Sequence, residues 1–109
     1  MLTITIPIRT VSALNGREHW RLRAARVRKE REATAWVLAG KKAPQLPVTV
    51  TMKRVGPSSG LDDDNLAGAL KGVRDQIAEW LGVDDRDPRV SWRCEQERTR
   101  YWAVEVDIG

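Results

Sequence analysis

Leu66, Leu70, Val73, Ile77 and Leu81 recur at spacings of four, three, four and four, which is the period of a helix with one apolar face. A helix of that kind must lay its stripe on a sheet or another helix, so this stretch fixes the middle of the fold. Aspartates crowd both of its ends. Asp62-Asp63-Asp64 precedes it, Asp84-Asp85 and Asp87 follow it, and together they are six of the chain's eight aspartates. Like charges ~4 Å apart repel by roughly 1 kcal/mol in water, and by more when partly buried. Two such clusters call for a cation beside them, and hard carboxylate oxygens suit a divalent metal.

The flanking segments supply a sheet. Leu2, Ile4, Ile6 and Ile8 alternate with Thr3, Thr5 and Pro7, the pattern of a strand with one buried face. Pro7 cannot donate to a ladder, so the strand ends there or runs along an edge. After the Asn15-Gly16 turn, Arg17–Ala39 lacks Gly and Pro and is rich in Arg, Ala and Glu, which predicts a helix. Its apolar stripe (Trp20, Ala24, Val27, Trp36, Val37, Leu38) is thin in the middle, which implies partial exposure or packing on a partner. Gly40 and Pro44 close it. Val48, Val50 and Met52 then share one face of a second strand. Val55–Gly60 reads as a flexible lead-in, Asp64 or Asn65 as the N-cap of the next helix, and Gly82 as its stop. Val90, Trp92 and Cys94 alternate, as do Trp102, Val104, Val106 and Ile108. The polar turn around Arg98–Arg100 joins these two strands, most simply as a hairpin. The order is β-α-β-α-β-β. It predicts an α+β fold: a single domain over residues 1–109, with a mixed four-stranded sheet packed by two helices.

Composition narrows the class. At 109 residues, 41% hydrophobic and 31% charged, the chain fits one globular domain rather than a disordered tail. No apolar run approaches the ~20 residues that cross a bilayer, and Met1–Arg9 alternates instead of forming a signal peptide. Cys94 is alone and sits in an alternating apolar series, so it reads as a reduced core cysteine of a cytosolic protein. The net charge is +4, and fourteen of nineteen basic residues are arginine, whose planar fork suits phosphate. Between Arg17 and Arg31 seven basic residues face two glutamates, the footprint of a polyanion partner; a solvated helix face is the plainer alternative. Trp20 and Trp36 suit base stacking or an interface between copies, Trp92 and Trp102 suit the core, and His19 reads as a helix-surface residue.

The acids have structural alternatives too. Asp64 and Asn65 suit a helix cap, and Asp84–Asp87 suits a turn before Pro88. A calcium loop fails, because the sixth position counted from Asp62 is Ala67 rather than glycine. In an extended lead-in Asp62 and Asp64 point the same way and Asp63 points away. An 18-residue helix spans ~27 Å, so the two clusters meet only if the chain doubles back after Gly82 or a second subunit supplies the missing acid.

Asp62-Asp63-Asp64-Asn65-Leu66, followed by Gly82-Val83-Asp84-Asp85, resembles the RusA-type Holliday junction resolvases, whose signature is Asp-x-Asp-Asn, a helix and a Gly…Asp-Asp turn. Leu14-Asn15 ahead of Trp20 is similar to the Asn…Trp stretch near the start of that family, and the resemblance runs in order along nearly the whole chain. It implies a homodimeric endodeoxyribonuclease, common in phages and prophages, that resolves branched four-way DNA in recombination and repair. The implied setting is the cytoplasm of a bacterium or phage-infected cell. The implied cofactor is magnesium, with manganese as a substitute, and no small-molecule cofactor. Carried over by position, Asp62, Asp64 and Asp85 are the metal ligands and catalytic acids. The family's lysine, four residues after the second aspartate, is Gly68 here; Lys71 is its stand-in. Asn15, Arg17, Arg21 and Arg74 are the expected DNA contacts. The rival readings are a non-enzymatic phage DNA-binding protein and an interaction module whose basic helix docks an acidic partner.

Overall fold

Alternation decides which face of each strand is covered. In the computed structural model, which describes residues 1–11 and 20–109, the elements are β1 (Leu2–Ile6), α1 (Trp20–Leu38), β2 (Val48–Gly56), α2 (Asp63–Ala69), α3 (Lys71–Leu81), β3 (Val90–Arg98) and β4 (Ala103–Ile108). They form one mixed four-stranded sheet in the order β1-β4-β2-β3, an α+β domain as the pattern predicts. Ile4 and Ile6 of β1, Val48, Val50 and Met52 of β2, Val90 of β3 and Val104, Val106 and Ile108 of β4 present one apolar face. Leu38 of α1, Leu66 of α2 and Val73 and Ile77 of α3, with Leu70 between the last two helices, close over it. The opposite face carries Thr3, Thr5, Ser91, Arg93, Glu95 and Asp107, all exposed. Pro7 follows directly after β1, an edge strand, as its missing N–H requires.

The predicted hairpin does not form. β3 runs parallel to β2, from Val48↔Val90 to Gly56↔Arg98, and β4 runs antiparallel to β2 on its other side, from Val50↔Ile108 to Val55↔Ala103. Val48, Val50, Met52 and Val55 are all buried, so β2 is the strand that most needs a neighbour on each side. A parallel partner needs a long crossover, and the helices between β2 and β3 provide it. The segment after β3 then crosses the end of β2. There the Thr99 N–H donates to Gly56 O at 3.0 Å, and the Trp102 ring lies where a Cβ on Gly56 would stand. Only a glycine at the end of β2 permits that passage.

The second predicted helix is two. Leu70 leaves helical geometry (φ −100°, ψ 3°), and its N–H is shared between Leu66 O and Ala67 O, both at 3.2 Å. The break re-aims α3, which packs on α1 at a point where only glycine fits. A Cβ on Gly72 would stand 2.9 Å from Glu30 Cβ and 3.2 Å from Val27 O. Arg31 clamps the same pair of helices, its Nη2 2.8 Å from Glu79 Oε2 and its Nε donating to Gln76 Oε1 at 3.2 Å. Gly82, in the left-handed region at φ 78°, ends α3 as expected. No helix among the described residues is long and apolar enough to cross a membrane.

Candidate nucleic-acid interface and acidic clusters

The first cluster is a helix start, not an extended lead-in. Asp62, rather than Asp64 or Asn65, is the N-cap of α2: its Oδ1 accepts the Asn65 N–H at 2.9 Å. Asp63 and Asp64 therefore already lie in the first turn, and the two-residue alternation expected for the three acids does not hold, because the chain turns helical one residue sooner. All three are exposed. Asp63 and Asp64 make no ion pair or side-chain hydrogen bond among the described residues.

The second cluster is largely a turn. Asp84 Oδ1 accepts the Arg86 N–H at 2.9 Å, which holds its carboxyl below the ordinary carboxylate range. Asp87 binds Arg89 through both side chain and backbone, and Arg89 holds its pKa down to about 2. Asp85 faces Arg74, with Oδ2 3.8 Å from Nε. Arg74 also donates from Nη2 to Asp85 O at 3.0 Å and stacks over Trp92, 4.9 Å from the ring centroid. Trp92, half-buried rather than fully in the core, donates its indole N–H to the same carbonyl at 3.1 Å.

The break at Leu70 and the reversal after Gly82 replace one straight helix between the clusters by a shorter, turned path, and β3 anchors each end. Leu61, next to the first cluster, is tied to the Gln96 side chain in both directions, at 2.8 and 2.7 Å. Asp85 is tied to Trp92. Those anchors are four residues apart along β3, or ~13 Å at 3.3 Å per residue. Accordingly, no group of three or more His, Cys, Asp or Glu side chains among the described residues is placed to hold a metal ion.

The cations divide in the same way. Lys71 opens α3 and pairs with Asp75 at 3.3 Å, its side chain 64% exposed. Arg21 stacks on Trp20, 5.3 Å from the centroid. Arg23, Arg28 and Lys29 are exposed along α1. Arg23 and Arg28 line an open groove of about 660 Å³ with Trp20, Ala24 and Val27. Trp20 and Trp36 are 66% and 82% exposed, in keeping with the thin stripe of that helix. Asn15, Arg17 and His19 lie outside the described residues. Cys94 is half-buried, and burial pushes its thiol pKa up, which fits packing rather than reactivity.

One feature escaped the sequence pattern. Arg54 stands two residues beyond Met52 on the apolar face of β2 and is 5% exposed. The signal was present: the series Val48, Val50, Met52 continues onto a charge at 54. Against this geometry, no protein-family model and no curated protein matches the chain.

Proposed function

We propose that this chain is a structure-selective endodeoxyribonuclease of the RusA kind, resolving four-way DNA junctions by phosphodiester hydrolysis in recombination and repair. What supports the reading is the state of Asp63 and Asp64. Both are exposed and make no ion pair among the described residues, in a chain with nineteen lysines and arginines. Exposed carboxylates without an ionic partner among the described residues are open to a cation from solution. In this proposal the cation is magnesium, or manganese. The homodimer is part of the proposal: no group of three His, Cys, Asp or Glu side chains among the described residues of one chain is placed to hold the ion, and a second copy supplies a further carboxylate.

The chain's own groups have defined parts. Arg21, Arg23, Arg28 and Lys29 hold backbone phosphates along α1, contacts that position DNA without reading its sequence. Arg74, fixed by Trp92 and the Asp85 carbonyl, and Lys71 offset negative charge that builds on the phosphate under attack. The setting that goes with the reading is a bacterial or phage-infected cytoplasm.

A titration of magnesium against a labelled synthetic four-way junction tests it. The wild type should nick the junction only with the metal, and Asp64→Asn should bind the junction without cutting it. Cutting by Asp64→Asn at the wild-type rate would end the assignment. That no metal-holding group is found among the described residues favours one alternative, a DNA-binding protein with no nuclease activity. It predicts junction binding that is indifferent to magnesium and no scission at all.

A further inference from the structure

Arg54 is a buried cation whose hydrogen bonds among the described residues all go to neutral groups. Its Nε donates to Thr10 Oγ1 at 3.1 Å, its Nη2 to Thr10 O at 3.2 Å and its Nη1 to Ser58 Oγ at 3.0 Å. Its guanidinium lies over Trp102, 5.0 Å from the centroid, and Arg9 lies over the same ring at 4.9 Å. No carboxylate pairs with it among the described residues. A guanidinium has five N–H groups; these contacts engage three, leaving one on each terminal nitrogen. Burial, and then the neighbouring charge of Arg9, lower its pKa, as expected where a cation is desolvated without a counter-ion. Buried charges are as a rule paired with an opposite charge or bound to a metal.

Beside this guanidinium opens a cleft of about 330 Å³, lined by Arg54, Ser58, Ser59, Gly60, Gln96 and Arg98. Arg98 makes no ion pair among the described residues. Glu97 also lines the cleft, and Lys53 lies 3.8 Å from its Oε2. Ser58 Oγ accepts from Arg54, so its own O–H is free to point into the cleft as a donor. Gly60 turns at φ 101°, and the pair of hydrogen bonds between Leu61 and the Gln96 side chain fixes the lip. The loop that forms one wall leads straight into Asp62.

We propose that this cleft is an oxyanion site that seats one phosphate group, with Arg54 and Arg98 as its cations and the Ser58 hydroxyl as a neutral donor. Resting on the nuclease reading above, the occupant is a backbone phosphate of DNA, held one loop away from Asp62 and Asp64. Arg54 is preorganised by Thr10 and Trp102, so little ordering remains to be done when the anion arrives.

The test titrates the whole chain with inorganic phosphate by calorimetry and, separately, with a labelled four-way junction at several salt concentrations. The variants are Ser58→Ala with Arg98→Ala, whose side chains lie outside the core, and Arg54→Lys, which keeps the charge but loses the fork. The double variant should bind both phosphate and junction about tenfold more weakly, and the slope of log K against log salt should fall by about 1. Arg54→Lys should weaken binding of both probes while leaving the salt slope unchanged, because the charge is kept. Wild-type binding of both probes by the double variant overturns the site. Weaker phosphate binding with unchanged junction affinity and slope overturns DNA as the occupant. Scission is scored in the same reactions. A chain that never cuts, yet loses junction affinity in the double variant, overturns the nuclease reading and upholds the cleft. A chain that cuts while the double variant binds like wild type does the reverse.

Discussion

Gly56→Ala places a methyl group where three ring atoms of Trp102 now lie. The glycine has no positive φ, so the effect is steric rather than conformational. Trp102 is a rigid ring wedged between the end of β2 and two guanidinium groups, and it cannot swing aside without leaving both. Overpacking of this kind costs about 1–3 kcal/mol. The Gly→Ala change returns about 0.4–1 kcal/mol by narrowing the unfolded ensemble. With three ring atoms displaced, the cost falls in the upper half of its range, and the net loss is about 1–2 kcal/mol. At an unfolding entropy of ~2.1 cal/mol/K per residue, a chain of this length loses about 4 °C per kcal/mol, which predicts a fall in Tm of about 4–9 °C by calorimetry. Trp102→Leu should remove much of the penalty when combined with Gly56→Ala, a non-additivity expected only of groups in contact. A Gly56→Ala protein as stable as the wild type, or two substitutions whose effects simply add, would refute the crossing of β2 by the 99–102 segment at this point.

Other substitutions separate structural from chemical roles. Asp62→Ala should destabilise by about 1 kcal/mol through the lost cap, whereas Asp62→Asn, an equally good cap, should not; urea unfolding of the pair checks this. Ile77→Ala, at a fully buried position between α3 and the sheet, should cost about 2–5 kcal/mol, read in the same assay. The folded-state pKa of Asp87, about 2, lies below its unfolded value of roughly 3.9. Its contribution is therefore present above pH ~4 and lost as pH falls through 2. Asp87→Asn should flatten that part of the stability–pH curve, and equal slopes for both proteins would show that the Arg89 pairing contributes nothing. Arg74→Lys gives up the stack on Trp92 and the bond to Asp85 O, and should lower stability by about 1 kcal/mol while shifting Trp92 fluorescence.

Local patterning was enough for the element order. The two-residue alternation of Ile4 and Ile6, or of Val104, Val106 and Ile108, sets which face of a strand is buried, and the spacing from Leu66 to Leu81 marks the stretch that covers it. Gly82 announced its own left-handed stop. Partner choice between strands carried no such local mark. β3 and β4 are neighbours in the chain and read as a hairpin, yet each gains more by flanking β2, whose two edges both need hydrogen bonds. The cap went to Asp62 because side-chain and backbone geometry at the helix start selects a single residue, and composition leaves three aspartates equivalent.

The acidic clusters were visible in the sequence, but the path between them was not. It depends on where Leu70 breaks the helix and on which strand residues, Gln96 and Trp92, anchor each end. Arg54 teaches the same lesson from the other side. Its place on an apolar face could be counted along the chain, but its neutral partners and its cleft arise from Thr10, Ser58, Arg98 and Trp102, which only folding brings near. Sequence by itself determined what each segment must bury, since that is a property of neighbouring side chains. The tertiary structure decided which segments meet, since that depends on contacts between residues far apart in the chain.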